Sequence, residues 1–260
     1  MMLLAVDVGN TEITIGLFES EKLRTQWRLT TVLERTPDEW AAMIAGYVIN
    51  AGHSTHEVRA AVVASVAPGV TVMLSEGVSK ALGTSPVPVS AATELPIKLD
   101  VDDPLSVGAD RVVNSLAALE FYDRDCIVVD FGTATSFDCL TRDGRFIGGV
   151  IAPGVKTGSD QLVKKAAKLF ATELVAPNHV IGRRTEDCIK SGILYSAADS
   201  VDGIVRRVKL EWPGKSEPYV VATGGLASVI VPLTNEVQHV EPDLTLHGLA
   251  IAAKHLHLEW

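Results

Sequence analysis

The sequence predicts an α/β protein built from two similar lobes. Its 260 residues exceed the commonest single-domain size. Short apolar runs closed by Gly or Asn alternate with stretches of helical spacing. Above all, the opening pattern returns. LLAVDVGNTEITIGLFESEKL (3–23) and CIVVDFGTATSFDCLTRDGRF (126–146) share one plan: apolar strand, Asp, Gly, small polar residues, strand, turn, strand. The offset from Asp7 to Asp130 is 123 residues. Each copy is followed later by a strand ending in small residues, VVASVAPG (62–69) and VVATGG (220–225). This is an imperfect duplication of long period, not a solenoid. It divides the chain into lobes 1–118 and 119–260, with an expected ligand cleft between them.

The elements follow in order. Residues 2–7 read as a buried strand that Gly9-Asn10 ends, and 12–18 and 23–30 continue as strands around a turn at 19–22. Trp40, Ile44, Tyr47 and Val48 are spaced for a helix over 37–50, with Thr36 as its cap and Pro37 at its first position. Residues 59–66 predict a strand, and a helix runs from Pro68 to about Leu82. A further helix is expected over 107–122. The second copy then begins with a strand at 126–130. Strands at 135–141 and 145–151 bracket the hairpin signal Asp143-Gly144. Helices are expected over 155–171 and 185–211, a strand at 218–222 and a closing helix at 245–258.

Composition excludes several classes of function. Hydrophobic residues make up 47% and charged residues 21%, the balance of a folded chain. A net charge of −9 and the lack of a long Lys/Arg run argue against nucleic acid as a partner. Three widely spaced cysteines, Cys126, Cys139 and Cys188, fit neither a zinc site nor a disulfide framework, and they suit a reducing cytoplasm. The apolar start meets an acid at Asp7 and has no basic leader, so it reads as a strand and not a signal peptide. No uncharged run reaches membrane-spanning length.

Five segments carry candidate chemistry. In Asp7-Val8-Gly9-Asn10-Thr11 a strand delivers an acid to its end, and Gly lets the chain turn with its N–H groups exposed. Such a loop suits phosphate oxygens, and Asp7 suits Mg²⁺, directly or through water. An Asx-type turn would use the same residues. The second copy, Asp130-Phe131-Gly132-Thr133-Ala134-Thr135, favours the ligand reading, because two equivalent acids are hard to explain as independent turns. In Pro104-Leu105-Ser106-Val107-Gly108-Ala109-Asp110-Arg111 a loop enters a helix. There the orphan N–H groups and Arg111 suit a carboxylate, and Asp110 suits a general base. Asp110 as a helix-start charge and Arg111 as a surface residue explain that segment equally well. Gly148-Gly149-Val150-Ile151-Ala152-Pro153-Gly154 and Thr223-Gly224-Gly225 either approach a ligand or simply end strands. The seven histidines form no catalytic constellation, and neither a nucleophile elbow nor a Walker loop is present. The four tryptophans read as packing residues.

In order, DVGNT (7–11), PLSVGADR (104–111), DFGTATSFD (130–138), GGVIAPG (148–154) and ATGG (222–225) closely resemble the type III pantothenate kinases. The resemblance runs from Leu3 to about Gly248. It implies two ribonuclease-H-like lobes of the acetate and sugar kinase, Hsp70 and actin superfamily. It implies that Asp7, Val8, Gly9, Asn10, Thr11, Glu12, Ile13 and Thr14 bind ATP phosphates with Mg²⁺, and that Thr133 also touches ATP. Gly108, Ala109, Asp110 and Arg111 would line the pantothenate site, with Asp110 taking the proton of the primary hydroxyl. Asp130 would hold a monovalent cation, K⁺ or NH₄⁺. Thr185 would reach pantothenate from the partner subunit of a homodimer. The product would be 4′-phosphopantothenate, at the first step toward coenzyme A. Val101 stands where the family often has a substrate-contacting Tyr, Asp103 where Asn is common, and Ser136 where Thr is common. The alternative is a non-catalytic regulator on the same scaffold.

Overall fold

The computed structural model describes residues 1–260. The chain forms two compact units, Met1–Glu120 together with Leu244–Trp260, and Phe121–Asp243.

In the first unit, β1 (Met2–Val8), β2 (Glu12–Glu19), β3 (Lys22–Thr30), β4 (Val58–Ser65) and β5 (Val87–Val89) form a sheet of order β3-β2-β1-β4-β5. The β1–β2 and β2–β3 pairs are antiparallel, whereas β1–β4 and β4–β5 are parallel. Central β1 is apolar along nearly its whole length because both of its faces are covered. Leu4, Val6 and Val8 share a core with Ile13, Ile15 and Leu17 and with two helices, α1 (Pro37–Asn50) and α2 (Pro68–Leu82). Trp40, Ile44 and Val48 supply the buried stripe of α1. Thr36 caps α1 in a reciprocal box with Glu39, and that cap contributes about 1 kcal/mol. A two-residue strand, β6 (Lys98–Leu99), and a 3₁₀ turn at Pro104–Ser106 lead into α3 (Ala109–Tyr122).

The second unit repeats the winding. Its strands are β7 (Cys126–Phe131), β8 (Ala134–Leu140), β9 (Arg145–Pro153), β10 (Tyr219–Thr223) and β11 (His239–Val240). They run in the order β11-β10-β7-β8-β9. The β7–β8 and β8–β9 pairs are antiparallel, and β7–β10 and β10–β11 are parallel. With β7 in the place of β1, this is the order and polarity of the first unit. The duplicated sequence thus encodes a duplicated topology. Helices α4 (Val155–Lys165), α5 (Thr185–Leu210) and α6 (Ala227–Ile230) complete the unit. No helix is long and apolar enough to cross a membrane.

Three expectations change. The closing helix, α7 (Leu244–His255), packs in the first unit, although its place in the chain assigned it to the second lobe. Leu246 meets the backbone at Gly16, Thr245 donates to Asn114 at 2.8 Å, and Gly248 lies so close to the Val113 carbonyl that a Cβ would stand 2.0 Å from it. The helix expected over 155–171 stops at Lys165, and Leu169 turns instead into a cavity wall. The strands β5, β6 and β11 and the single turn α6 are too short for periodicity to reveal.

Candidate active site

In the first unit the site is built at the end of β1. Asp7 pairs with Thr14 across β2 and with Ala64 across β4. Val8 and Ile13 are fully buried, so of their atoms only the backbone is placed for a ligand. Between them the chain turns tightly, and the Gly9 N–H donates to the Glu12 carbonyl at 3.0 Å. Asn10, Thr11 and Glu12 lie exposed at the tip, and Glu12 pairs with Arg28 at 3.7 Å. Val66, just beyond β4, donates its N–H to the Val8 carbonyl at 3.0 Å.

The second candidate segment reaches the same strand ends. Val66 Cγ1 stands 3.5 Å from the point where a Cβ on Gly108 would lie. Val66 is therefore bonded to Val8 and stands next to the Gly108 turn, which places the loop at Asp7 near the start of α3. Asp110 folds back over Gly108, and a Cβ there would meet Asp110 Oδ1 at 2.5 Å. The same oxygen accepts the Arg111 N–H at 2.8 Å. Burial pushes the Asp110 carboxyl above the ordinary aspartate value, while the Arg111 amide and charge only partly oppose it. A partly buried carboxylate of raised basicity at a helix start is suited to accept a proton. Ala109 is buried behind it. Val101 is half-buried in the preceding loop, where no aromatic ring is present.

In the second unit, Asp130 pairs with Ser136 on β8 and with Thr223 on β10. The following turn is tighter, with the Gly132 N–H donating to the Ala134 carbonyl at 3.0 Å. Thr133 is exposed at its tip, and the Thr157 hydroxyl donates to the Thr133 carbonyl at 2.7 Å. Gly224, at φ +91°, lies directly against the acid, where a Cβ would stand 2.5 Å from Asp130 Oδ1. The missing side chain leaves a cradle at the carboxylate that a Cβ would fill. The chain contains no cluster of three acidic, His or Cys side chains able to cage a metal ion. A metal ion at Asp7 would therefore have to draw most of its ligands from phosphate oxygens and water.

Thr185 begins α5 and is exposed. It lines a cavity of about 580 Å³ within the second unit, whose walls include Phe131, Phe137, Leu162, Ile189 and Ile193. Burial raises Cys126 to about 12, which leaves that thiol inert at neutral pH. Sequence reasoning did not find Thr31, Val66 or Thr157. Each acts on a loop far away in the chain, and only Val66 lies in a segment of the repeated pattern (62–69). The packing of Gly224 on Asp130 was visible only as an ambiguous strand-ending turn.

Two equally wound units, each with an acid and a Gly turn at the end of its first strand, define the acetate and sugar kinase, Hsp70 and actin fold. Solved structures share it. An activator of 2-hydroxyisocaproyl-CoA dehydratase from Clostridium difficile, with bound ADPNP, superposes with a TM-score of 0.61 at 12% identity, covering 100% of this chain and 98% of that one. A ROK hexokinase from Thermus thermophilus gives 0.54 at 14% identity and 99% coverage of both chains. Identities this low establish the fold alone. Sequence comparison narrows the class: residues 3–207 match the family model of the type III pantothenate kinases. A protein of that name from Thermomicrobium roseum is 41% identical over 256 residues, 98% of each chain. The chain belongs to the type III pantothenate kinase family.

Proposed function

We propose that this protein transfers the γ-phosphoryl group of ATP to the primary hydroxyl of pantothenate, giving 4′-phosphopantothenate for coenzyme A synthesis. The observation that carries this reading is the partly buried Asp110 carboxylate, folded over Gly108 beside Val66, which bonds to the loop at Asp7. Family membership supplies the substrate.

The residues divide the work. Backbone N–H groups of the Gly9–Glu12 turn, with Asn10, Thr11 and Thr14, hold the phosphates, and Thr133 adds a contact. Arg111 and the start of α3 bind the pantothenate carboxylate, which fixes the hydroxyl in position. As the hydroxyl oxygen bonds to the γ-phosphorus, its proton passes to Asp110, the β–γ bridge bond breaks and ADP leaves. Mg²⁺ beside Asp7 would offset the charge on the phosphate oxygens. Asp130, in the cradle left by Gly224, would hold K⁺ or NH₄⁺. Thr185 would serve the pantothenate site of a partner subunit in a homodimer, and the enzyme would work in the cytoplasm.

A coupled assay of ADP release tests the reading, with ATP and Mg²⁺, with and without pantothenate, and with K⁺ replaced by Na⁺. Release that needs pantothenate and rises with K⁺ is expected. Hydrolysis indifferent to pantothenate would point to another activity of the superfamily. Silence under all conditions would point to a regulator.

A further inference from the structure

The Gly9–Glu12 turn is not held by its own hairpin alone. Thr31, just past β3 and 22 residues from Gly9, grips it at two points. Its amide donates to the Thr11 carbonyl at 3.0 Å, and its hydroxyl donates to the Gly9 carbonyl at 2.7 Å. A peptide group is planar and trans, so its C=O and N–H point in opposite directions. Fixing the Gly9 carbonyl toward Thr31 therefore aims the Asn10 N–H away from Thr31. This amide lies in the middle of the turn, where an anion would be received. Thr31 sits behind the turn and orients a donor without being part of the ligand surface.

We propose that Thr31 is a positioning residue for the phosphate-binding turn, and that its hydroxyl sets the affinity for the nucleotide. The inference rests on the reading of residues 7–14 as the ATP phosphate site. Losing the hydroxyl leaves the Gly9 peptide free to rotate, so that bound phosphate must order it. The loss should fall on nucleotide binding and spare pantothenate binding, because Asp110 and Arg111 are held by α3.

The test compares Thr31→Val, which keeps the shape and removes the hydroxyl, with Thr31→Ser, which keeps the hydroxyl. Calorimetric titration with ADPNP and Mg²⁺ gives Kd, and steady-state assays give KM for ATP and for pantothenate. Thr31→Val should raise the ADPNP Kd and the KM for ATP by about tenfold, the usual scale for one hydrogen bond. It should leave the pantothenate KM within about twofold, and Thr31→Ser should restore nucleotide affinity to within about threefold. Equal ADPNP affinity in wild type and Thr31→Val would overturn the inference while leaving the nucleotide site intact. So would equal losses in KM for both substrates, which would mark a merely structural role. Failure of the wild-type protein to bind ADPNP would overturn both readings.

Discussion

The two units wind the same five strands in the same order, yet they treat the acid at the end of the first strand differently. At the end of β4, the residue following Asp7's cross-strand partner Ala64 is Ser65. Its hydroxyl is occupied by Thr71 at 2.5 Å and by the Ala67 amide at 3.1 Å. Beyond β10, the residue following Asp130's partner Thr223 is Gly224, which presents no side chain. The first unit instead brings a second acid to its strand ends, Asp110 over Gly108. The second unit instead packs Gly224 directly on the Asp130 carboxylate. One turn is the longer, closed from Gly9 to Glu12, and the other is the shorter, closed from Gly132 to Ala134. A duplicated scaffold has thus diverged in what it brings to its strand ends: a second carboxylate in one half, a glycine packed on the acid in the other. In each half a distant threonine hydroxyl, Thr31 or Thr157, fixes a turn carbonyl.

This division predicts unequal effects. Asp110→Asn keeps the size of the side chain and removes the base. It should lower kcat by about 100-fold or more in the coupled assay, with ADPNP affinity unchanged. Near-normal turnover would erase the distinction between the halves. Gly224→Ala should act more weakly. It forces a Cβ against Asp130 and into a positive-φ position, at a cost of about 1–2 kcal/mol. The K⁺ concentration for half-maximal activity should rise about tenfold or more, with a lower Tm. Ser65→Ala, at the matching position of the first unit, should leave the K⁺ dependence unchanged. Equal responses at the two positions would break the comparison.

Much of this was legible in the sequence. The repeated D-x-G pattern revealed two equivalent strand ends, and both sheets have the matching topology. Helix α1 was visible from cap to last turn because Thr36, Pro37 and the Trp40–Ile44–Val48 stripe all point to one element. Helix α7 was misassigned because periodicity identifies a buried face but not the sheet that covers it. The chemistry of Asp110 was left open between a helix charge and a base. Local sequence carries no burial, and burial is what raises its basicity. Thr31 and Thr157 stayed hidden for a related reason. Their partners are carbonyls, which every residue possesses, so no residue type marks the contact.

The central claim is that Asp110 accepts the substrate proton. It is tested most directly by the pH dependence of kcat/KM for pantothenate, measured in wild type and in Asp110→Asn. A base works only when ionised, and burial holds the Asp110 carboxyl above the ordinary aspartate value. Wild-type activity should therefore begin to fall, as pH is lowered, at a higher pH than an ordinary aspartate would dictate, and the residual activity of Asp110→Asn should lack that limb. The same acid limb persisting in Asp110→Asn would assign it to another group and contradict the account.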